Sequence, residues 1–465
     1  MRKKTRSKRK TNPLNRRFHA HAAGIDIAAT EHVVAVPPGR GGENGDIRTF
    51  GSFTDDLKKL RDWLLACGIK TVAMESTANY WIPTFDILEE AGIDVWLVNA
   101  RHAKGVPGRK TDVCDADWIQ QLHSAGLLRK SFRPVAHICS LRYLMRHRRG
   151  LIQANARQIQ LMQKALNEMN LQLHHVISDI DGVSGQRIIQ AILKGERDPG
   201  TLADLRDNRC RTPRKIVLKA LEANYREEFL FTLKQNFESF HHFQEQILSI
   251  DQEIAQMVEA VQGQLSADEP LPPQKCYAKK GKPSGRTKNT PNFAIREQAW
   301  RIYGVDLAGI PGVGTGTLGV IISELGTTDQ IKKAFGTPKR FASWMGLCPD
   351  NRISGGKILS SKTRRVANLV AGAFRLTAQA LIHSDSALGD YCRKMKARLG
   401  NAEGITATAH KVARIVFTLI TTREAYDDTK AVRAGPGMKA LQIRNLSKRA
   451  RKLGLQLVVA QPSTS

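Results

Sequence analysis

Apolar and polar positions follow two different periods along this chain, and the change between them divides it. From Gly24 the spacing is that of short strands and compact helices. Gly24-Ile-Asp-Ile-Ala28 and His32-Val-Val-Ala-Val-Pro37 read as a strand pair, and Ile47 to Phe53 as a third strand. Leu57, Leu60, Trp63 and Leu64 recur at helical spacing within Asp55–Cys67. Thr71-Val-Ala-Met-Glu75 is a short buried strand ending in an acid. Pro83 to Ala91 reads as helix and Ile93 to Val98 as strand. A loop with Gly105, Pro107 and Gly108 then leads into a helix bearing Asp112 and Asp115. The predicted order is β-β-β-α-β-α-β-α, that of a ribonuclease-H-like domain.

Beyond residue 141 a 3.5-residue repeat takes over. Ile152, Ile159, Leu166 and Leu173 carry it, with Met162, Met169 and Val176 between them. A second run holds Phe240, Phe243, Ile247, Ile250, Ile254, Met257 and Val261. Two such runs predict a long helical hairpin or a dimerising coiled coil, with two ordinary core helices as the plain alternative. Residues 271–292 carry six Lys/Arg among Pro, Gly and Ser and read as a basic linker. After it, Gly309-Ile-Pro-Gly-Val-Gly-Thr-Gly opens an apolar helix to Leu325. Asp350–Lys357 reads as a loop, and helical patterns follow over Lys362–His383 and Ala409–Leu419.

The expected organisation is a basic disordered arm at 1–20, a nuclease-like domain at 21–135 and a helical coiled-coil region at 136–270. The linker at 271–295, a mostly helical domain at 296–425 and a basic tail at 426–465 complete it. The fold class is thus α/β followed by mainly α.

Charge sharpens the choice of partner. There are 72 Lys+Arg against 43 Asp+Glu, a formal net charge of +29, which points to a polyanion such as nucleic acid. Nine Lys/Arg and no acid lie within residues 1–17. No apolar run reaches the ~18 residues of a membrane span, and no signal-peptide core follows the basic start. The seven cysteines include no Cys-x-x-Cys pair, so a reducing cytosol is expected and zinc or a disulfide frame is not.

Four acids carry the candidate chemistry. Two-metal phosphodiester cleavage needs carboxylates converging on ions ~3.5–4 Å apart. Asp26 sits centrally on the first strand, Glu75 ends a later one, and Asp112 and Asp115 share a helix face. Asp117, two residues further on, points elsewhere. Each alone is an ordinary strand-end or helix-start acid; their joint placement is what a metal site requires. Oxygen ligands suit Mg²⁺ or Mn²⁺. Gly312 and Gly314 lie in a turn like that of a helix-hairpin-helix, where backbone N–H groups can meet a phosphate. Ser354 stands between Arg352 and Lys357, whose charges could steady a phosphate; its Ser-Gly-Gly setting alone reads as a turn.

These motifs resemble the insertion-sequence transposases of family 110, DEDD-type recombinases. The carrying residues are Gly24-Ile-Asp26, Ala73-Met-Glu-Ser-Thr77, Val98-Asn-Ala-Arg101, Gly108-Arg-Lys-Thr-Asp-Val-Cys-Asp-Ala116, Gly309-Ile-Pro-Gly-Val-Gly314 and Phe341 to Gly356. The resemblance implies a RuvC-like N-terminal domain, a coiled-coil connection and a C-terminal transposase domain. It implies Asp26, Glu75, Asp112 and Asp115 as Mg²⁺ ligands, and Ser354 as the residue joined covalently to DNA. Lys110, Gly312, Gly314, Arg352 and Lys357 are the expected nucleic-acid contacts. Donor and target DNA, a structured guide RNA, and dimers pairing into tetramers are the implied partners, in the bacterial cytoplasm at the nucleoid. The main rival is a RuvC-like junction resolvase or nuclease using activated water; a nonenzymatic nucleic-acid scaffold is a third reading.

Overall fold

The computed structural model describes residues 18–76, 78–99, 112–266, 269–273, 288–431, 444, 446–448 and 450–456, with the backbone alone at 44, 112–114 and 431. Lys110, the glycine/proline loop before it, and most of the expected arm, linker and tail lie outside these. The chain divides into two compact units, 1–133 and 134–465.

In the first unit every predicted element forms. Strands β1 (Ala22–Ile27), β2 (Glu31–Ala35) and β3 (Ile47–Gly51) precede helix α1 (Thr54–Ala66); β4 (Thr71–Glu75), α2 (Trp81–Glu90), β5 (Asp94–Val98) and α3 (Asp112–Ser124) follow. The sheet order is β3-β2-β1-β4-β5. β1 pairs antiparallel with β2 and parallel with β4. This is the ribonuclease-H-like arrangement.

The two sheet faces are built differently. Ile25, Ile27, Val34, Val72 and Met74 face one way and pack with Leu60, Trp63, Leu64, Phe85 and Leu88 of α1 and α2. Alternate positions, Gly24, Val33, Ala35 and Ala73, face α3. Small side chains let that helix lie close to the sheet.

The second unit begins with α4 (Ala136–Glu168). Helix α5 (Val183–Leu193) and three shorter helices lead to α6 (Glu227–Glu259). Arg148 of α4 meets Asp251 of α6, while Met162 and Leu166 share a core with Leu233 and Phe237. The two long helices are therefore antiparallel partners within one chain, the hairpin alternative of the sequence. The repeat does not continue as one helix to Val176: α4 ends at Glu168, and Asn170 turns the chain with φ +59°. Leu173 and Val176 belong instead to a cap of short helices, whose Ile188, Ile189, Ile192, Leu202 and Val217 continue the core at that end of the hairpin.

Arg148 and Asp251 are buried, and the pair does more than join the helices. Arg148 Nη1 donates to Asn289 O (3.2 Å), and Asp251 Oδ2 accepts from Asn292 N (2.9 Å). The ion pair thus pins the chain where it re-enters after the basic segment. The remaining framework is α7 (Ile295–Tyr303), α8 (Thr315–Leu325), α9 (Thr328–Phe335) and α10 (Pro338–Trp344). Strands β6 (Arg352–Ser354) and β7 (Lys357–Ser360) come next, then α11 (Leu369–Ala380), α12 (Ala387–Leu399) and α13 (Asn401–Thr422). Glu324 of α8, buried, accepts from Arg146 of α4 at 2.8 and 2.9 Å and pairs with Arg142. Two expectations change here. The helix expected from Lys362 starts only at Leu369, where Asn368 caps it by accepting from Ala371 N (3.0 Å). The helix expected from Ala409 begins earlier, at Asn401. Among the described residues no helix is long and apolar enough to cross a membrane.

Candidate active site

Asp26 is next to last in β1 and Glu75 is last in β4, the parallel strand beside it. The β1–β4 register pairs Gly24 with Ala73 and Ile25 with Met74, so Asp26 and Glu75 are the next neighbours along it. Because side chains alternate, both acids share the face of Gly24 and Ala73, the face that α3 covers. Both are half-buried.

The direction of α3 follows from three contacts. Gln120 Nε2 donates to Ala22 O (3.1 Å), at the start of β1. A Cβ on Gly24 would stand 2.3 Å from Gln120 N and 2.4 Å from Ala116 O. Ala116 also packs with Val33, the ladder partner of Asp26. The helix therefore runs against β1, and its first turn, with Asp112 and Asp115, comes toward the strand ends that carry Asp26 and Glu75. Asp115 is exposed; the side chain of Asp112 lies outside the described residues. Asp117 turns to its own helix, its Oδ2 accepting from Gln121 Nε2 at 2.7 Å. Among the described residues no three His, Cys, Asp or Glu side chains gather as a metal site. The expected ligands, Asp26, Glu75, Asp112 and Asp115, are all carboxylates, the donor type that a hard divalent ion takes.

The other end of α3 is held by a buried imidazole. Thr71 Oγ1 donates to Asp94 O (2.9 Å), so His123 Nε2, 2.9 Å from Thr71 Oγ1, must donate to that hydroxyl. His123 Nδ1 is buried without a hydrogen-bond partner. Burial, followed by the nearby His19, pushes the His123 pKa down to about 4. A neutral ring stacked on His19 and lying beside Trp96 results. His123 has no signal in the sequence pattern, and Gly24, part of the Gly-Ile-Asp motif, gives no sign there of how closely α3 approaches it.

Ser354 lies in the second unit. The expected loop around it is a two-stranded hairpin in which Ser354 pairs with Lys357 and Ile353 with Ile358. Gly355 and Gly356 form the two-residue turn with φ +54° and +75°. Positive φ at both places is the type I′ geometry that matches strand twist, and glycine enters it without strain. Cross-strand partners share a face, so Ser354 and Lys357 sit together with Ile353 and Ile358 behind them. Arg352, Ser354 and Lys357 are exposed, and Ile353 and Ile358 are 61% and 62% exposed. The hairpin base is anchored: Asp350 N donates to Lys362 O (3.0 Å), and Val366 packs on Gly346.

Two family models match the chain, the DEDD transposase of IS110 elements over residues 23–171 and the transposase of the IS116/IS110/IS902 family over residues 306–393. The chain belongs to the IS110 family of transposases. The first match contains all four acids and the whole of α4; the second contains Ser354, Arg352, Lys357, Gly312 and Gly314. No curated protein matches the chain. In this transposase Gly312 has φ +78°, and a Cβ there would meet Thr377 O of α11 at 2.9 Å. Its role is packing the turn on α11. Gly314 precedes α8 as its N-cap, with no side-chain cap and open space beside it.

Proposed function

We propose that this transposase cuts and rejoins DNA through a covalent Ser354–phosphate ester, with Asp26, Glu75, Asp112 and Asp115 holding Mg²⁺ or Mn²⁺. The observation that carries the reading is Ser354 on an exposed hairpin, beside Lys357 and one strand turn from Arg352, in a chain of the IS110 family. A bound divalent ion supplies charge stabilisation of the phosphate and of the alkoxides on either side of it. Ser354 Oγ attacks the phosphorus and loses its proton; one P–O bond forms, the bond to a deoxyribose oxygen breaks, and that oxygen leaves as a hydroxyl. Attack by a hydroxyl of another strand on the ester restores Ser354 and completes exchange. Arg352 and Lys357 offset phosphate charge as the DNA approaches. A net charge of +29 suits backbone contacts. Sequence choice then falls to a structured guide RNA pairing with donor and target DNA. Copies would work as dimers pairing into tetramers, in the cytoplasm at the nucleoid, and Lys110 would add a phosphate contact ahead of α3.

The test incubates purified protein with Mg²⁺, the element's RNA and a donor–target DNA pair, resolved on denaturing gels. The reading expects a protein–DNA adduct that disappears in Ser354→Ala and on chelation, while DNA binding by Ser354→Ala persists. Metal-dependent cleavage with no adduct, unchanged by Ser354→Ala, would overturn it in favour of a nuclease using activated water.

A further inference from the structure

The serine hairpin has two unlike faces. Ile353 and Ile358 pair across it on the side away from Ser354 and Lys357, and they stand 61% and 62% exposed. The ladder slips at its root: Arg352 pairs with Ser360 and Ile353 with Ile358, so Leu359 is one residue extra on β7. That bulge takes Leu359 out of the pair with Arg352 that would set it on the Ser354 side. It leaves Leu359 69% exposed next to Ile358. Single exposed apolar side chains are ordinary, whereas three together on a two-stranded ribbon mark an interaction surface.

The ribbon is tied at its root and bare at its tip. Pro349 bridges to Thr363, and Arg364 donates to Ser343 O at 2.7 Å. Gly355 and Gly356 carry no side chains, and nothing stands within 4 Å of a Cβ added at either.

Charge says what the apolar face meets. Arg352, Lys357, Lys362, Arg364 and Arg365 are exposed along the ribbon and its root. Among the described residues none of them is in an ion pair with a carboxylate, whereas Arg393 of α12 has Asp390. From Asn351 to Ser384 the chain has no acid. Such a border attracts a polyanion and repels a second copy of this chain, which brings its own +29. Phosphates and most groove edges of DNA are polar. Its large apolar surfaces are the faces of the bases, reached when a step unstacks or a pair opens, and Ile and Leu are among the side chains wedged there.

We propose that the hairpin is a DNA wedge, in which Ile353 and Ile358, with Leu359, pack on the face of an unstacked base pair while Ser354, on the other face, meets the phosphate. This placement rests on the reading of Ser354 given above, but the stacking does not need the ester. The wedge reads no sequence, because every base has such a face. It favours DNA that is already open, where no unstacking has to be supplied.

The test measures binding of the full chain, by anisotropy in EDTA, to two fluorescent duplexes, one fully paired and one with a three-mismatch bubble. Wild type should bind the bubble about 10-fold more tightly, the scale of burying two exposed isoleucine side chains. Ile353→Thr/Ile358→Thr keeps the β-branched shape that strands favour. It should abolish the preference while paired-duplex affinity and melting temperature stay close to wild type. Ile353→Val/Ile358→Val should keep most of the preference. Equal preference in wild type and the Thr variant overturns the proposal, as does wild-type binding that does not distinguish the duplexes. A changed oligomeric mass of the Thr variant in light scattering, with the preference intact, overturns it in favour of a second copy on this face. No strand is cut in this assay, so failure of the wedge and failure of the serine adduct are told apart.

Discussion

Gly24→Ala tests whether the approach of α3 to β1 is what assembles the acids. The added Cβ would lie 2.3 Å from Gln120 N, 2.4 Å from Ala116 O and 2.9 Å from Gln120 Cα. All three are backbone atoms, so no side-chain rotation relieves the clash. Ordinary carbon contacts start near ~3.5 Å, so the helix must withdraw by roughly 1 Å. Overpacking of this kind costs about 1–3 kcal/mol. A displacement of roughly 1 Å at a reacting centre can also lower rate about 100-fold. The withdrawal moves the helix that carries Asp112 and Asp115 away from the strands that carry Asp26 and Glu75. Two assays are paired: thermal denaturation, and DNA cleavage with Mg²⁺ and the element's RNA. Gly150→Ala is the control, since Gly150 lies inside α4 with nothing within 4 Å of an added Cβ. It should gain up to ~1 kcal/mol from helix propensity and leave cleavage unchanged. Gly24→Ala with wild-type melting and wild-type cleavage would refute the idea that close packing at Gly24 positions the site.

Two further outcomes concern stability. His123 has a folded pKa of about 4, below its ordinary 6.5, so its contribution is complete above pH 6.5 and drains away as pH falls toward 4. The slope should approach ~1.4 kcal/mol per pH unit in that window, and His123→Gln should flatten it, leaving the parts due to His32 and His410, whose pKa values burial also lowers. Identical pH–stability curves for the two proteins would sink this assignment. Arg148→Met strands the Asp251 carboxylate in the interior and should cost about 3–5 kcal/mol in denaturant unfolding. Arg148→Met/Asp251→Leu should recover most of it, less the hydrogen bond from Asn292 N. A double variant no more stable than the single one would show that the buried charge is not the source of the loss.

How legible the protein was depends on the range of the interaction concerned. The element order of the first unit can be read from residues 24–124, because two-residue and 3.6-residue periods report local burial. Asp26 within a strand, Glu75 at a strand end and Asp112 and Asp115 at a helix start are positions along elements, and these too are local. The Gly-Gly turn after Ser354 needs only its own positive φ values. The start of α11 at Leu369 was not legible. Residues 362–366 have helical character, yet they run extended because Gly346 and Asp350 offer them a partner strand segment.

Tertiary structure alone decided two things. It set the sheet face on which Asp26 and Glu75 meet α3, through strand register and the small residues Gly24, Ala35 and Ala73. It closed the two 3.5-residue repeats on each other within one chain, with Arg148 and Asp251 choosing the register. The reason is common to both. Periodicity records whether a side chain is buried, which the chain determines locally, but not which distant backbone or charge it is buried against.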